Sequence, residues 1–325
     1  MNLFLLANEI IDGKRISYDN TELNEFITCD IEELKKSADK IREAFIGTKV
    51  DLCTIINGKS GKCGENCKFC AQSAHNHTNC EIYDLLDEDE IISKAKSDES
   101  EGVNRFAIVN SGHNPSDSDF EKIIHCFERM NKECKIGLCA SLGFLTSEQF
   151  HKLKTAGVTR IHNNIETSRR FFPYICTTHT FDDKINNIKR AKAEGLSVCS
   201  GGIIGLGETW EDRIDMALTL FDLDIHSIPI NSLMPIPGTP LADNSRLSEE
   251  DILRTIGIFR FINPEAHIRL AGGRALMKNY GRETFLSGAS ASITGNMLTT
   301  SGSTIKSDQD MFAELGRDTT CDWMK

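Results

Sequence analysis

The chain carries 325 residues, 39% hydrophobic and 26% charged, a composition that excludes disordered and fibrous classes. At about 100 to 200 residues per domain the length admits two domains, yet an α/β barrel of about 250 residues forms one. Forty-eight acidic residues against 37 basic ones give a net charge of −11, which offers no electrostatic footprint for a nucleic-acid backbone or an anionic membrane and points to a small-molecule partner.

The opening apolar run, Leu3 to Ala7, stops at Asn8-Glu9, far short of the ~18 residues of a membrane span, so the cytosol is the expected compartment. Twelve cysteines without a secretory context read as reduced thiols with a metal or redox task. Residues 1–50 read as a helical extension, a lid or flank, with Asp30 as an N-cap before the amphipathic run towards Phe45. Residues 51–325 read as one α/β domain with a C-terminal tail. Within it, strands are expected near 52–56, 104–109, 135–141, 158–163, 196–203, 226–231, 266–271 and 288–293. Helical patterns fall between most of them, at 87–101, 117–132, 181–194, 209–221 and 248–262. That alternation predicts a (β/α)₈ barrel, with its chemistry at the C-terminal ends of the strands.

Just after the first strand stands Cys63-Gly64-Glu65-Asn66-Cys67-Lys68-Phe69-Cys70. Three thiolates on a short loop can hold an iron–sulfur cube and leave its fourth iron open for chemistry. Structural zinc is the alternative, with His75 or His77 as fourth ligand. A second motif, Gly201-Gly202-Ile203-Ile204-Gly205, ends a strand; its glycines permit close backbone approach and its isoleucines offer an apolar wall for a flat base. Cys139, Cys199 and Arg269 fall in three different strands. Thiols and charges pointing into a barrel normally filled by branched apolar residues are costly unless a ligand satisfies them. Asn164 and Asn231 sit at strand ends, where their amides suit a neutral polar ring.

The three-cysteine loop resembles that of the radical S-adenosylmethionine superfamily. Cys70-Ala71-Gln72-Ser73, Ile165-Glu166-Thr167-Ser168, Val198-Cys199-Ser200-Gly201-Gly202, Ile228-Pro229-Ile230-Asn231, Gly238-Thr239-Pro240-Leu241-Ala242-Asp243-Asn244 and Ile268-Arg269-Leu270-Ala271-Gly272-Gly273-Arg274 narrow the resemblance to the biotin synthases, over residues 30 to 315. The resemblance implies a 4Fe-4S cluster on Cys63, Cys67 and Cys70 that binds S-adenosyl-L-methionine. It also implies an auxiliary iron–sulfur cluster at Cys139, Cys199 and Arg269 that donates sulfur to dethiobiotin. Phe69, Gly201, Gly202, Ile203 and Gly205 would then seat the adenine, Glu166 the ribose and Lys184 the methionine carboxylate. The ureido ring would meet Asn164 and Asn231. Flavodoxin or ferredoxin as electron donor and a homodimer belong to the same expectation.

One position departs from the family. The second-strand cluster cysteine falls on Ala107, whose methyl group cannot ligate iron. In Leu52-Cys53-Thr54-Ile55 the strand period of two turns Cys53 inward with Ile55, so Cys53 is expected to replace the missing ligand, in a cluster larger than the usual 2Fe-2S form. The rival readings are another radical enzyme, a maturase or a carbon-skeleton rearranging enzyme without a second cluster, and a non-catalytic iron–sulfur protein. Cys126, Cys134, Cys176 and Cys321 are read as ordinary thiols.

Overall fold

The computed structural model describes residues 2–18, 21–296, 298 and 302–320; Cys321 lies outside them. The strands are β1 (Asp51–Lys59), β2 (Arg105–Asn110), β3 (Gly137–Ser141), β4 (Val158–His162), β5 (Ser197–Cys199), β6 (Gly202–Ile204), β7 (Ser227–Ser232), β8 (His267–Leu270) and β9 (Ala291–Ile293). They pair in the order β5-β4-β3-β2-β1-β9-β8-β7-β6, and β5 also pairs β7, through Cys199 and Ser227. Because β5 and β6 are two halves of one strand position, the sheet closes as the expected eight-position parallel barrel. Glycine is required at the break. A Cβ on Gly201 would stand 2.0 Å from the Pro229 carbonyl oxygen, and one on Gly202 2.3 Å from that of Glu166.

Each strand divides its side chains by parity. Leu52, Phe106, Ile108, Leu138, Ile161, Val198, Ile228, Ile230, Ile268 and Leu270 face outward and join the helices in one continuous apolar cluster. The helices Glu88–Ser100, Asp117–Glu133, Phe181–Ala193, Trp210–Asp222 and Glu249–Ile262 lie where expected. The last three begin at capping boxes, Thr180 with Asp183, Thr209 with Asp212 and Ser248 with Asp251, which satisfy the first free N–H groups. The helix Ser147–Thr155 was not expected, although its Thr146/Gln149 box carries the same signature. Ile305–Glu314 was likewise read only as tail. Its buried Asp308 accepts two hydrogen bonds from Arg274 at 2.7 and 2.8 Å, which fastens the tail to β9 through the Arg274–Ser292 contact.

The described part of the N-terminal extension packs on the outside of the barrel. Its helix Ile31–Ile46 turns Leu34, Ala38 and Ile41 inward against Glu249–Ile262. Leu34 sits over Gly257, where an added Cβ would come within 2.9 Å of it. No described residue of the extension lines the barrel cavity.

Candidate active site

The inward positions enclose a cavity of about 420 Å³ that opens at the C-terminal ends of the strands. Its lower wall is charged. Asp51, at 1% exposure, lies with its Oδ2 2.6 Å from Arg269 Nη2, 3.1 Å from Arg160 Nη1 and 3.4 Å from Arg105 Nε. Arg269 also donates to the Asp51 and Ser292 carbonyls. Burial alone would raise the Asp51 carboxyl, but Arg269, then Arg160 and Arg105, hold it well below the usual range. Three guanidinium groups on one carboxylate leave an excess of buried positive charge, which suits an anionic occupant.

Three thiols stand over this floor. Cys53 and Cys139 form a small buried cluster with Ala107, against Ile55 and Val109. The parallel register sets Ile55 beside Ala107 and Ala107 beside Cys139. Cys53 thus faces inward, next to the position where Ala107 offers only a methyl group. Cys199 completes the set from β5 and accepts a hydrogen bond from Ser227 Oγ at 3.3 Å. Burial pushes the Cys53 and Cys139 thiols up. At Cys199 burial is outweighed by a hydrogen bond and charge from His162, with Arg269 and Arg160 adding, which bring the thiol to about 6. Cys53, Cys139, Cys199 and Arg269 all line the cavity, and a thiophilic, anionic cluster matches both the donors and the surplus charge.

The three-cysteine loop follows β1 and overhangs the mouth. Cys63 N–H donates to the Gln72 carbonyl, Ala74 N–H to that of Cys63 and Cys70 N–H to that of Cys67. The Asn76 amide spans the Cys67 and Cys70 carbonyls at 3.2 and 2.9 Å. Cys70 and Phe69 face the cavity. Burial pushes the Cys70 thiol up to about 11, with Cys63 and Glu166 adding to the effect. These bonds hold the backbone of a loop that carries three cysteines, the number a cube with one open iron takes. Of the histidines considered for zinc, His75 meets the Gly64 carbonyl at 3.1 Å and His77 N–H donates to Gly238. Neither joins a ligand group among the described residues; the group there is Cys67, Cys176 and His179.

Ile203, Glu166, Lys184, Asn164 and Asn231 also reach the cavity. Glu166 has φ of +70° and is held by Gly201 and Ile203 backbone bonds. Gly201 and Gly202 serve the close approach of neighbouring backbone, and Gly205, with φ of +93°, donates its N–H to Glu208. Lys184 Nζ lies 5.2 Å from the centre of the Phe144 ring. Asn164 Oδ1 accepts from Gly201 N–H. Asn231 bridges two strands, donating to the Gly202 carbonyl at 3.0 Å and accepting from Gly272 N–H at 2.9 Å, so each of its polar atoms keeps one free valence for a ligand.

Sequence reasoning missed Asp51, Arg105 and Arg160. Their strand parity, shared with Cys53, Ala107 and His162, was the available signal. It also missed Glu65, which accepts from His113 and His179 at 2.6 and 2.5 Å. It missed Cys176 as well, whose thiol lies 3.7 Å from that of Cys67.

Comparison with known proteins bears on this geometry. Residues 59–220 match the Radical SAM superfamily and residues 229–318 the Biotin and Thiamin Synthesis associated domain. The biotin synthase of Clostridium beijerinckii is 55% identical over 311 residues, covering 96% of this chain and 98% of that protein. That of Alkaliphilus metalliredigens is 52% identical over 316 residues, covering 97% and 99%. Among solved structures, methylornithine synthase (PylB) superposes with a TM-score of 0.84 at 20% identity, covering 96% of each chain. The [FeFe]-hydrogenase maturase HydG gives 0.82 at 19%, covering 97% of this chain and 74% of its own. At such identities these two structures speak for the barrel alone.

Proposed function

The chain belongs to the biotin synthases, radical S-adenosylmethionine enzymes, and we propose that its cavity serves sulfur insertion into dethiobiotin, with residues that would hold two iron–sulfur groups. The observation that carries this reading is the convergence of Cys53, Cys139, Cys199 and Arg269 on one cavity whose mouth bears Cys70. Cys63, Cys67 and Cys70 would hold a 4Fe-4S cube. Cys53, Cys139 and Cys199 would hold the auxiliary cluster, Arg269 beside it and Cys53 in place of the ligand that Ala107 lacks. Such groups, when bound, supply the electron that cleaves S-adenosyl-L-methionine into methionine and a 5′-deoxyadenosyl radical, and the sulfur that enters biotin.

The chain's own residues do the positioning. Phe69 and Ile203 flank the place for an adenine, Glu166 offers a carboxylate to ribose hydroxyls, and Lys184 supplies a cation for the methionine carboxylate without the two-pronged grip of an arginine. Asn164 and Asn231 keep the valences a ureido ring needs. Gly201, Gly202 and Gly205 keep the β5–β6 wall close to its neighbours, so that Ile203 can serve as the apolar face. The floor arginines act against burial at all three cysteines, and at Cys199, with His162, they outweigh it and favour the thiolate, the state in which sulfur ligates iron. Eleven described cysteines are free, and no helix among the described residues is long and apolar enough to cross a membrane. Free thiols fit a reducing compartment, and a flavodoxin or ferredoxin would serve as the electron donor.

The test is Cys53→Ser, reconstituted anaerobically and followed by iron and sulfide content, Mössbauer spectra, deoxyadenosine and biotin, with Cys67→Ala alongside. Cys53→Ser is expected to lose the auxiliary cluster and biotin while keeping the cube, and Cys67→Ala to lose deoxyadenosine. Full iron content with normal biotin formation in Cys53→Ser refutes the ligand set.

A further inference from the structure

Beside the three-cysteine loop lies a set of metal-binding side chains that neither cluster uses in full. The short helix Phe172–Ile175 delivers Cys176 to the loop, and two contacts hold the segment there. Lys68 N–H donates to the Ile175 carbonyl, and Asn66 Oδ1 accepts from the Thr177 and Thr178 N–H groups at 2.9 and 3.3 Å. As a result Cys176 Sγ stands 3.7 Å from Cys67 Sγ, and 3.4 and 3.8 Å from the Nδ1 and Nε2 of His179. The ligand atoms of all three lie within 4.8 Å of one another. A tetrahedral zinc ion, with bonds of about 2.3 Å to sulfur and 2.0–2.1 Å to nitrogen, separates two sulfurs by about 3.8 Å and a sulfur from a nitrogen by about 3.6 Å. The two spacings at Cys176 therefore fit one thiophilic cation, and the third pair, Cys67 and His179, lies within 4.8 Å.

The surroundings are those of a ligating histidine. Glu65 Oε2 accepts a hydrogen bond from Nδ1–H of His179 at 2.5 Å, which leaves Nε2 as the ligand lone pair and makes it more basic. Phe144 and Phe172 pack edge-on against the imidazole, centroids 5.1 and 5.5 Å away, and fix its plane. Cys176 and His179 are 4% and 7% exposed.

We propose that in the chain lacking its iron–sulfur groups Cys67, Cys176 and His179 bind one thiophilic divalent cation, zinc being the ion their chemistry fits, and that this ion competes with the cube for Cys67. Three protein ligands leave the fourth position to water, the pattern of an exchangeable site and not of a closed structural one. The binding half of the inference stands on this geometry alone; the competition half rests on the cube being held by Cys67.

The full chain, purified cluster-free under argon, is titrated with cobalt(II) as a coloured substitute for zinc. Sulfur-to-cobalt charge-transfer bands that zinc then abolishes are expected. A Cys63→Ser/Cys70→Ser double variant cannot hold the cube and should bind cobalt as the parent does. Cys176→Ala, or His179→Ala should the first fail to fold, should weaken binding about 100-fold, the upper end of what losing even a supporting partner costs. Binding lost in the double variant but kept in Cys176→Ala would move the ion to the loop thiols and overturn the site, as would the lack of any charge-transfer band in the parent. For competition, zinc-loaded parent is reconstituted with iron and sulfide and cube absorbance is followed in time. Slower uptake than in zinc-free parent, with no such delay in Cys176→Ala, is expected; equal rates overturn the competition.

Discussion

Replacing Asp51 by asparagine keeps the shape of the floor and removes the one negative charge that three guanidinium groups share. Asp51 is 1% exposed and Arg269 2%, so solvent takes over little of the lost interaction. Breaking a buried ion pair by deleting one partner costs about 3–5 kcal/mol, because the other charge is left uncompensated. Arg160 keeps 14% exposure through the cavity, and Arg269 retains its bonds to the Asp51 and Ser292 carbonyls. Both facts favour the lower part of that range. For a chain of 325 residues unfolding entropy is about 0.7 kcal/mol per degree, so with about 3–4 kcal/mol lost Asp51→Asn should melt about 4–6 °C below the parent. Calorimetry on cluster-free protein reads this directly. The gap should narrow once the auxiliary cluster is loaded, since a ligand carrying negative charge then binds the variant's surplus of arginine. A shift under about 1.5 °C in the cluster-free form would refute the account of Asp51 as the charge that makes the floor tolerable.

Further outcomes follow from the same structure. Burial would raise the Asp51 carboxyl, yet Arg269, Arg160 and Arg105 hold it below its usual value. Its contribution to stability is therefore complete above about pH 4 and lost as the pH falls through the lower folded value; acid unfolding should be steeper in the parent than in Asp51→Asn, and identical profiles would contradict the charge cluster. Gly201→Ala drives a Cβ to 2.0 Å from the Pro229 carbonyl, and overpacking of this kind costs about 1–3 kcal/mol; denaturant unfolding should show it, together with weaker S-adenosyl-L-methionine binding. Asn231→Leu strands the Gly202 carbonyl and the Gly272 N–H as well as any ureido contact, so dethiobiotin affinity by calorimetry should fall by about 1–3 kcal/mol. Unchanged affinity would remove Asn231 from the site.

The strands and the five expected helices were legible because outward strand positions are apolar and because four of the helices start at Ser or Thr with an acidic residue three places on, the fifth at Asp87. The inward turn of Cys53 was legible for the same reason, since Ile55 shares its face. The floor was not. Arg105 and Arg160 look like surface residues in sequence, and only closure of the sheet brings them to one carboxylate on β1. Cys176 and His179 were hidden because they reach the Cys67 loop across 109 and 114 positions of chain. No local pattern encodes such a meeting. Asn231 was read as a ligand for substrate, and its bridging of Gly202 and Gly272 appeared only when β6 and β8 stood on either side of it.

Barrel closure also has an order in time. The strands β1 to β5 zip up from near neighbours in the chain, and β6 to β9 do the same. Among the described residues the two half-sheets meet where Asp51–Cys53 run beside Ala291–Ile293, where Cys199 meets Ser227 and where Glu166 bridges Gly202. The first of these junctions is pinned by Arg269 reaching Asp51, 218 positions away, and contacts so distant pay loop-closure entropy before they return anything. Loop-closure entropy therefore favours docking of the half-sheets as the later event in folding. Cys53, Cys139 and Cys199 all ride on the first half, and the arginine that faces them arrives with the second. A nascent chain released before β8 would carry the three thiols gathered and exposed, open to oxidation or stray metal, until Arg269 swings the second half across them.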